Sequence, residues 1–128
     1  ADVPREITHK YGILDVEDQT QPISKINAMV EKPKPEDAPS TLSILGRYIL
    51  QPEIFDILEN QEQGAGGEIQ LTDAMVRLMK DQDFTSVRLD GKHYDCGHHI
   101  GFIEANIAFA LADPKFGEDM KEILKKYT

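Results

Sequence analysis

The sequence predicts an α/β fold with a mixed sheet, because apolar segments with the two-residue period of strands alternate along the chain with segments that have the period of a helix. At 128 residues the chain has the size of one domain, so residues 1–128 are expected to form a single unit. Apolar residues make up 40% of the chain and charged residues 29%, which is ordinary for a globular protein with a buried core.

The first elements are two strands joined by a polar turn. Residues 11–16 are apolar and β-prone, and a second apolar segment with the same character ends at Val30. Pro33 follows almost at once, and proline has no N–H to donate to a strand ladder. The chain is therefore expected to leave the sheet at Pro33.

Alternation along the second strand predicts which side chains share a face. Ile26, Ala28 and Val30 are expected on one face, because successive side chains of a strand point to opposite sides. By the same rule Glu31 and Lys32 project to opposite sides, unless the strand twists or bulges at its end. A carboxylate and an ammonium at the exit of a strand are suited to gripping a polyhydroxy ligand that carries a phosphate.

A loop and a helix follow in the middle of the chain. Residues 34–40 are rich in Pro, Asp and Ser and predict a loop, whereas residues 41–50 return to β character. Pro52 is expected to open a short helix, since its missing N–H costs nothing in the first turn. After a glycine-rich loop at residues 61–67, Thr72 is a candidate N-cap for a helix that runs to about Gln82.

The last part of the chain predicts a hairpin followed by two helices. Residues 84–89 form a strand, a turn at Asp90 and Gly91 reverses the chain, and residues 92–96 return as its partner. Helices are expected over residues 102–112 and 117–126, the latter with its lysines at the C-terminal end, where the helix dipole favours them.

The charge and the cysteine content limit the partners of the protein. The formal net charge of -9 argues against binding nucleic acid through its phosphates, which requires a basic face. No apolar run approaches the roughly 18 residues that span a bilayer, so no membrane association is expected. Cys96 is the single cysteine, which fits a reducing compartment, and a cytoplasmic location is expected.

Two further groups of residues could carry chemistry. Asp95 lies at the end of a predicted strand, where a carboxylate suits a hard cation such as Mg²⁺ or, alternatively, stabilises the turn. A zinc site or a Cys-His nucleophile is an alternative for the thiol and imidazoles nearby, although their spacing is irregular and solvated side chains are the default interpretation. These residues are His93, Cys96, His98 and His99.

Several motifs, weak one by one, agree in order and spacing with a single family. They are Val3-Pro4-Arg5-Glu6, Tyr11-Gly12-Ile13, Val30-Glu31-Lys32-Pro33, Gly46-Arg47-Tyr48-Ile49-Leu50, Gly64-Ala65-Gly66-Gly67-Glu68-Ile69-Gln70-Leu71-Thr72-Asp73 and Tyr94-Asp95-Cys96-Gly97. Together they resemble the C-terminal half of bacterial UTP:glucose-1-phosphate uridylyltransferase, or UDP-glucose pyrophosphorylase. The resemblance implies the C-terminal part of a Rossmann-like nucleotidyltransferase fold that ends in helices.

The resemblance also implies a reaction and the roles of four residues. In this family UTP and glucose-1-phosphate give UDP-glucose and pyrophosphate with the assistance of Mg²⁺, chiefly through positioning and charge neutralisation. Glu31 would accept hydrogen bonds from sugar hydroxyls, Lys32 would hold the sugar phosphate, and the backbone near Gly12 would contact the hexose. Asp95 matches the position of a second metal carboxylate.

The chain departs from the family pattern in two ways. The G-x-G-T-R segment and the catalytic lysine, which bind UTP in the family, have no counterpart among these residues. The N-terminal UTP-binding portion is therefore expected to be missing, so that no catalytic residue is assigned here and this piece alone is inactive. The family lysine close after Asp-Cys-Gly is replaced by His98 and His99, which would make phosphate contacts there depend on pH.

Other functions and an assembly are compatible with the same residues. Another hexose-1-phosphate nucleotidyltransferase is the alternative within the enzyme class, and a noncatalytic module that binds a sugar nucleotide or mediates assembly is the alternative outside it. Strand edges exposed in a partial sheet favour pairing with another chain, and a homo-oligomer is expected.

Overall fold

A three-stranded antiparallel sheet organises the first part of the chain in this computed structural model. Strand β1 (Gly12–Val16) pairs with β2 (Ile23–Glu31), and β2 pairs with β3 (Thr85–Val87). The sequence predicts a mixed sheet, whereas the strands of the described residues make antiparallel pairs only. The reason for the first pair is the short turn between β1 and β2, since a parallel pair needs a long crossover.

The structure describes residues 1–127, with Ala65 described by its backbone alone. The chain divides into two units, Ala1–Asp90 and Gly91–Thr128, each with its own packing. The expectation of one unit over residues 1–128 stays a prediction. None of the described helices has the length and apolar character to cross a membrane.

Helices of the first unit cover one side of the sheet. Helix α1 (Glu53–Glu59) begins after Pro52, as predicted, and helix α2 (Leu71–Leu78) packs on β2. The predicted cap of α2 is wrong, because Gln70 is the residue with extended backbone before the helix and Thr72 lies inside the first turn, buried. Two short 3-10 helices, Arg5–Lys10 and Ala65–Gly67, complete this unit.

The core of the first unit lies between the sheet and the two α-helices. Met75 and Leu78 of α2 are each 2% exposed, and Ile54 of α1 is 3% exposed. Phe55, by contrast, is exposed on the outer side of α1. The buried apolar side chains that contact one another are Leu14, Val16, Ile26, Met29, Leu42, Ile54, Ala74, Met75 and Leu78.

A bulge in β2 overturns the predicted division of its faces. Asp15 pairs with Ala28 but Val16 pairs with Ile26, so Asn27 is an extra residue without a partner in β1. The bulge shifts the alternation by one position. Ile26 and Met29 are therefore both buried, whereas Ala28 and Val30 are exposed, and Ile26, Ala28 and Val30 do not share a face.

The predicted β character of residues 41–50 is realised only at the start of that segment. Leu42 and Ser43 form isolated bridges, to Asp2 and Ile13 respectively, and run beside the free edge of β1. The backbone N–H of Ile44 donates to the Gly12 carbonyl at 2.8 Å, and after Ile44 the segment leaves β1. At Gly46 the φ angle is 81°, so the chain turns away and cannot continue a ladder.

The second unit contains helices but not the predicted hairpin. Residues 92–96 form no strand. The expected two-residue turn requires positive φ at both central positions, and here Gly91 has φ 148° whereas Asp90 is not in that region. Helices α3 (His99–Ala112) and α4 (Gly117–Leu124) follow and pack together, with α3 beginning three residues before the predicted start at 102.

The packing of α2 predicts unequal effects for two neighbouring substitutions. Met75→Ala should lower the free energy of unfolding by about 2–5 kcal/mol, because it leaves a cavity at a side chain that is 2% exposed. Val76→Ala, at a position 38% exposed on the same helix, should change it by no more than about 0.5 kcal/mol. Urea denaturation followed by circular dichroism measures both, and equal losses would contradict the described orientation of α2.

Candidate functional site

Four side chains or backbone groups converge at the start of β1. Gly12 lies directly opposite Glu31 in the ladder of β1 and β2. A Cβ atom added to Gly12 would come to 3.0 Å from Glu31 Oε2, 3.0 Å from Ile44 Cδ1 and 3.1 Å from Thr72 Oγ1. A side chain at position 12 would therefore force a neighbour to shift. Glycine lets the Glu31 carboxylate and the Thr72 hydroxyl approach the backbone of β1.

The backbone at Lys32 brings its side chain to the side of Glu31. Lys32 has φ 47° and is the one non-glycine residue with positive φ within residues 1–127. Its N–H donates to the Tyr11 carbonyl at 3.0 Å, and its Nζ lies 3.5 Å from Glu31 Oε1. The two charged groups therefore meet, which is the exception that the sequence allows for a distorted strand end, because β2 ends at Glu31 and the next residue is left-handed.

A second carboxylate reaches the same ammonium from the loop before α2. Glu68 Oε2 lies 3.8 Å from Lys32 Nζ and accepts a hydrogen bond of 2.9 Å from Gln70 Nε2. The three ionic side chains differ in their contact with solvent, with exposed fractions of 11% for Glu31, 38% for Lys32 and 70% for Glu68. Glu31 is therefore the enclosed partner of Lys32, and Glu68 is the solvated one.

Glycines shape the loop that carries Glu68, residues 64–70, here called the glycine loop. The N–H of Gly64 donates to the Glu68 carbonyl at 2.9 Å, and a Cβ on Gly64 would collide with the Asp73 carboxylate in the first turn of α2. Gly66 and Gly67 have φ of 74° and 75°, which other residues adopt only with strain. The glycines thus permit a tight loop that presents Glu68 towards Lys32.

A tyrosine and a cavity lie beside this cluster. Burial raises the pKa of the Tyr48 phenol above its ordinary value, and the negative charge of Glu31 raises it further. Tyr48, Arg47 and Arg88 line a mainly apolar cavity of about 250 Å³ between the segment after Leu42 and strand β3. The Arg88 guanidinium is already engaged, since it bonds to the Asp2 carboxylate and to the Gln19 carbonyl.

Asp95 lies in the second unit and shapes the entry to α3. Its Oδ1 accepts a hydrogen bond of 3.0 Å from the Gly97 N–H, and its carbonyl accepts one of 3.3 Å from the His98 N–H. The described residues contain no group of three or more His, Cys, Asp or Glu side chains that could hold a metal ion. The cysteine and histidines of this segment are thus not arranged as a zinc site in the part of the chain that the structure describes.

Three of the four candidate residues from the sequence come together in the structure. In the first unit Gly12 pairs with Glu31 in the ladder, and the Lys32 ammonium lies 3.5 Å from the Glu31 carboxylate. The positions of Thr72 and Glu68 beside them were not predicted, because both depend on how α2 packs against the sheet. The sequence signal that pointed to them was their place in the glycine-rich motif that ends in Leu-Thr-Asp.

Comparisons with known proteins agree with the class that the sheet and the cluster suggest. The family model described as nucleotidyl transferase matches residues 1–110. This chain belongs to the nucleotidyl transferase family. The predicted resemblance to the uridylyltransferases is confirmed, both by this family model and by the individual proteins that the chain resembles.

The curated relatives are uridylyltransferases. The chain is 46% identical over 125 residues to the UTP–glucose-1-phosphate uridylyltransferase of Staphylococcus haemolyticus, an alignment that covers 98% of this chain and 43% of that protein. It is 51% identical over 104 residues to the enzyme of the same name from Pseudomonas aeruginosa, covering 81% of this chain and 37% of that protein. The chain thus spans less than half the length of these relatives.

Solved structures of the same kind superpose on this chain. A UDP-glucose pyrophosphorylase complexed with UDP-glucose has a TM-score of 0.78 and 44% identity, covering 84% of this chain and 41% of that chain. A UTP-bound UDP-glucose pyrophosphorylase from Acinetobacter baumannii has a TM-score of 0.83 and 34% identity, covering 99% of this chain and 44% of that chain. The fold is therefore part of a nucleotidyltransferase fold, as the sequence predicts.

The electrostatic contact between Tyr48 and Glu31 can be tested without a ligand. Glu31→Gln should lower the raised pKa of Tyr48 but leave it above its ordinary value, because burial is the larger cause. An ultraviolet titration of each protein, minus that of the same protein with Tyr48→Phe, isolates this phenol among the four tyrosines. Glu17→Gln, at the residue that follows β1, is the matched control. An unchanged Tyr48 titration in Glu31→Gln would contradict the geometry.

The same shift predicts how stability depends on pH. Since the pKa of Tyr48 is raised in the folded state, the fold favours the neutral phenol. The contribution of the neutral phenol to stability is fully present below the ordinary tyrosine pKa, near 10. It is lost as the pH rises through the pKa of Tyr48 in the folded protein. Tyr48→Phe should therefore reduce the loss of stability on the alkaline side, measured by urea denaturation between pH 8 and pH 11. If the free energy of unfolding fell equally with pH in both proteins, the raised pKa of Tyr48 would be contradicted.

Proposed function

We propose that this chain supplies the sugar-phosphate side of a UTP:glucose-1-phosphate uridylyltransferase site. The observation that carries the proposal is the left-handed backbone of Lys32, which brings its ammonium to 3.5 Å from the Glu31 carboxylate beside Gly12. A cation next to an enclosed hydrogen-bond acceptor matches a ligand with a phosphate next to hydroxyl groups. The uridylyltransferase relatives and the solved complex with UDP-glucose support the identity of that ligand.

Each of the three residues has a separate role in this proposal. Glu31 is 11% exposed and held on β2, so it accepts hydrogen bonds from sugar hydroxyls without first giving up a full shell of water. Lys32 pairs with the sugar phosphate as a point charge. The backbone near Gly12 contacts the hexose, and the absence of a side chain there leaves Glu31 undisturbed beside it.

The proposed reaction joins a phosphate oxygen of glucose-1-phosphate to the α-phosphorus of UTP while the bond to pyrophosphate breaks. The part of this chain is to hold the attacking phosphate and to offset its charge through Lys32, which favours approach to the anionic triphosphate. Binding and orientation are thus the contributions of the described residues. The sequence has no G-x-G-T-R segment to cradle UTP.

Mg²⁺ is proposed as the cofactor, and Asp95 as one of its carboxylate ligands. Mg²⁺ typically takes one or two carboxylates and completes its octahedron with phosphate oxygens and water. Asp95 is exposed and supplies one carboxylate. Within residues 1–127 no group of three or more His, Cys, Asp or Glu side chains could hold a metal ion. When bound, Mg²⁺ would neutralise phosphate charge, with most of its ligands coming from the nucleotide and water.

A cytoplasmic homo-oligomer is the proposed setting, without membrane or nucleic-acid partners. The formal net charge of -9 disfavours nucleic acid, and the single cysteine fits a reducing compartment. Helix α3 supports self-association, because Ile100, Phe102 and Phe109 are each more than half exposed on it.

Removing the charge of Lys32 should weaken the binding of glucose-1-phosphate by the 128-residue chain. Lys32→Gln should raise the dissociation constant about tenfold to hundredfold, the usual loss for a hydrogen bond to a charged group. Isothermal calorimetry with glucose-1-phosphate measures the effect. Lys34→Gln, which removes an exposed charge two residues later, is the control and should have little effect. Equal losses in both variants would show that only the general charge of this loop matters.

The chain alone should catalyse no uridylyl transfer. Incubated with UTP, glucose-1-phosphate and Mg²⁺, it should release no pyrophosphate above the rate without protein, because it lacks the glycine-rich UTP segment. A coupled pyrophosphatase assay measures the release, with a complete uridylyltransferase as the positive control. Release that disappears in Lys32→Gln would show that these residues suffice for catalysis.

A further inference from the structure

Glu68 has no role in the proposed reaction, yet it faces the residue that is proposed to hold the phosphate. Its Oε2 lies 3.8 Å from Lys32 Nζ, and the same ammonium lies 3.5 Å from Glu31 Oε1. One positive charge is thus shared between two negative ones. An anion that approaches Lys32 meets net repulsion unless one carboxylate moves away.

The two carboxylates differ in how easily they can leave. Glu31 is held on β2 opposite Gly12 and is 11% exposed. Glu68 is 70% exposed and stands on the glycine loop, where Gly66 and Gly67 permit backbone conformations closed to other residues. A solvated carboxylate on such a loop loses little when it exchanges an ammonium for water. Glu68 is therefore the partner that an incoming anion displaces.

We propose that Glu68 is a competing counterion that limits anion affinity: it occupies Lys32 in the empty site and yields it to a phosphate monoester. This proposal rests on the proposed function, in which Lys32 binds the sugar phosphate. A dianionic phosphate attracts the ammonium more strongly than one carboxylate does, so it displaces Glu68. A neutral sugar cannot displace it. The competition therefore lowers the affinity for glucose-1-phosphate and leaves that for a neutral sugar unchanged, so an anion has to outcompete Glu68 to reach Lys32.

The substitution Glu68→Gln tests the competition because it removes the charge and keeps the size of the side chain. The variant should bind glucose-1-phosphate about twofold to fivefold more tightly than the original chain, the range expected when a solvated ion pair no longer has to be broken. The binding of neutral methyl glucoside should not change. Glu62→Gln, which removes an exposed charge shortly before the glycine loop, is the matched control and should leave both affinities unchanged.

Salt and hydrogen exchange provide two further readouts on the same proteins. Calorimetry should show that the increase in affinity for glucose-1-phosphate caused by Glu68→Gln becomes smaller between about 0.05 M and 0.5 M sodium chloride. Salt screens the exposed ion pair of Lys32 and Glu68. Without any ligand, the amides of residues 64–70 should exchange faster in Glu68→Gln than in the original chain, since the contact with Lys32 no longer holds the loop.

Each outcome supports or overturns the proposal. Tighter binding of glucose-1-phosphate by Glu68→Gln alone supports it. Unchanged binding would overturn the competition, and weaker binding would show that Glu68 contacts the ligand instead; either result leaves the proposed role of Lys32 intact. If the original chain and every variant bind no glucose-1-phosphate, the proposed function fails, and the competition is overturned with it.

Discussion

The pairing of Gly12 with Glu31 is the contact on which the candidate site depends. Strand β1 holds β2 on one edge and the start of the segment after Ser40 on the other, through bonds such as that from the Ile44 N–H to the Gly12 carbonyl. A slip of one residue in this register would turn Glu31 to the opposite face. A side chain at position 12 would press on Glu31, Ile44 or Thr72. The position of the carboxylate is therefore a consequence of the register and of the glycine.

Local rules predict where the strands are but not where their side chains point. Residues 11–16, the stop at Pro33 and the helix after Pro52 follow from apolar patterns and from proline chemistry. The bulge at Asn27 does not, because the apolar residues around it suit either face and the choice is made by the partner strand. For that reason Met29 is buried and Val30 is exposed, against the alternation.

In the candidate site, too, neighbouring residues can be identified from the sequence, whereas contacts made by tertiary packing cannot. Glu31 and Lys32 are adjacent and were identified from the sequence, yet their common orientation comes from φ 47° at Lys32, which no pattern indicates for a lysine. Thr72 and Glu68 reach the site only because α2 packs on β2. The sequence allows two interpretations of Asp95, and its contact with the Gly97 N–H gives it a part in the local turn.

The backbone of Lys32 offers an acidic chain a way to hold the phosphate of the proposed ligand. With a formal net charge of -9, the protein as a whole does not attract a phosphate. A local cation such as the Lys32 ammonium therefore has to be held where the phosphate would bind. Left-handed φ at a non-glycine residue costs free energy, and it persists because the surrounding contacts over-determine it. The bond from the Lys32 N–H to the Tyr11 carbonyl at 3.0 Å supplies such a constraint. Strain at one residue thus keeps the ammonium beside Glu31 before any ligand arrives, which reduces the ordering that binding would otherwise require.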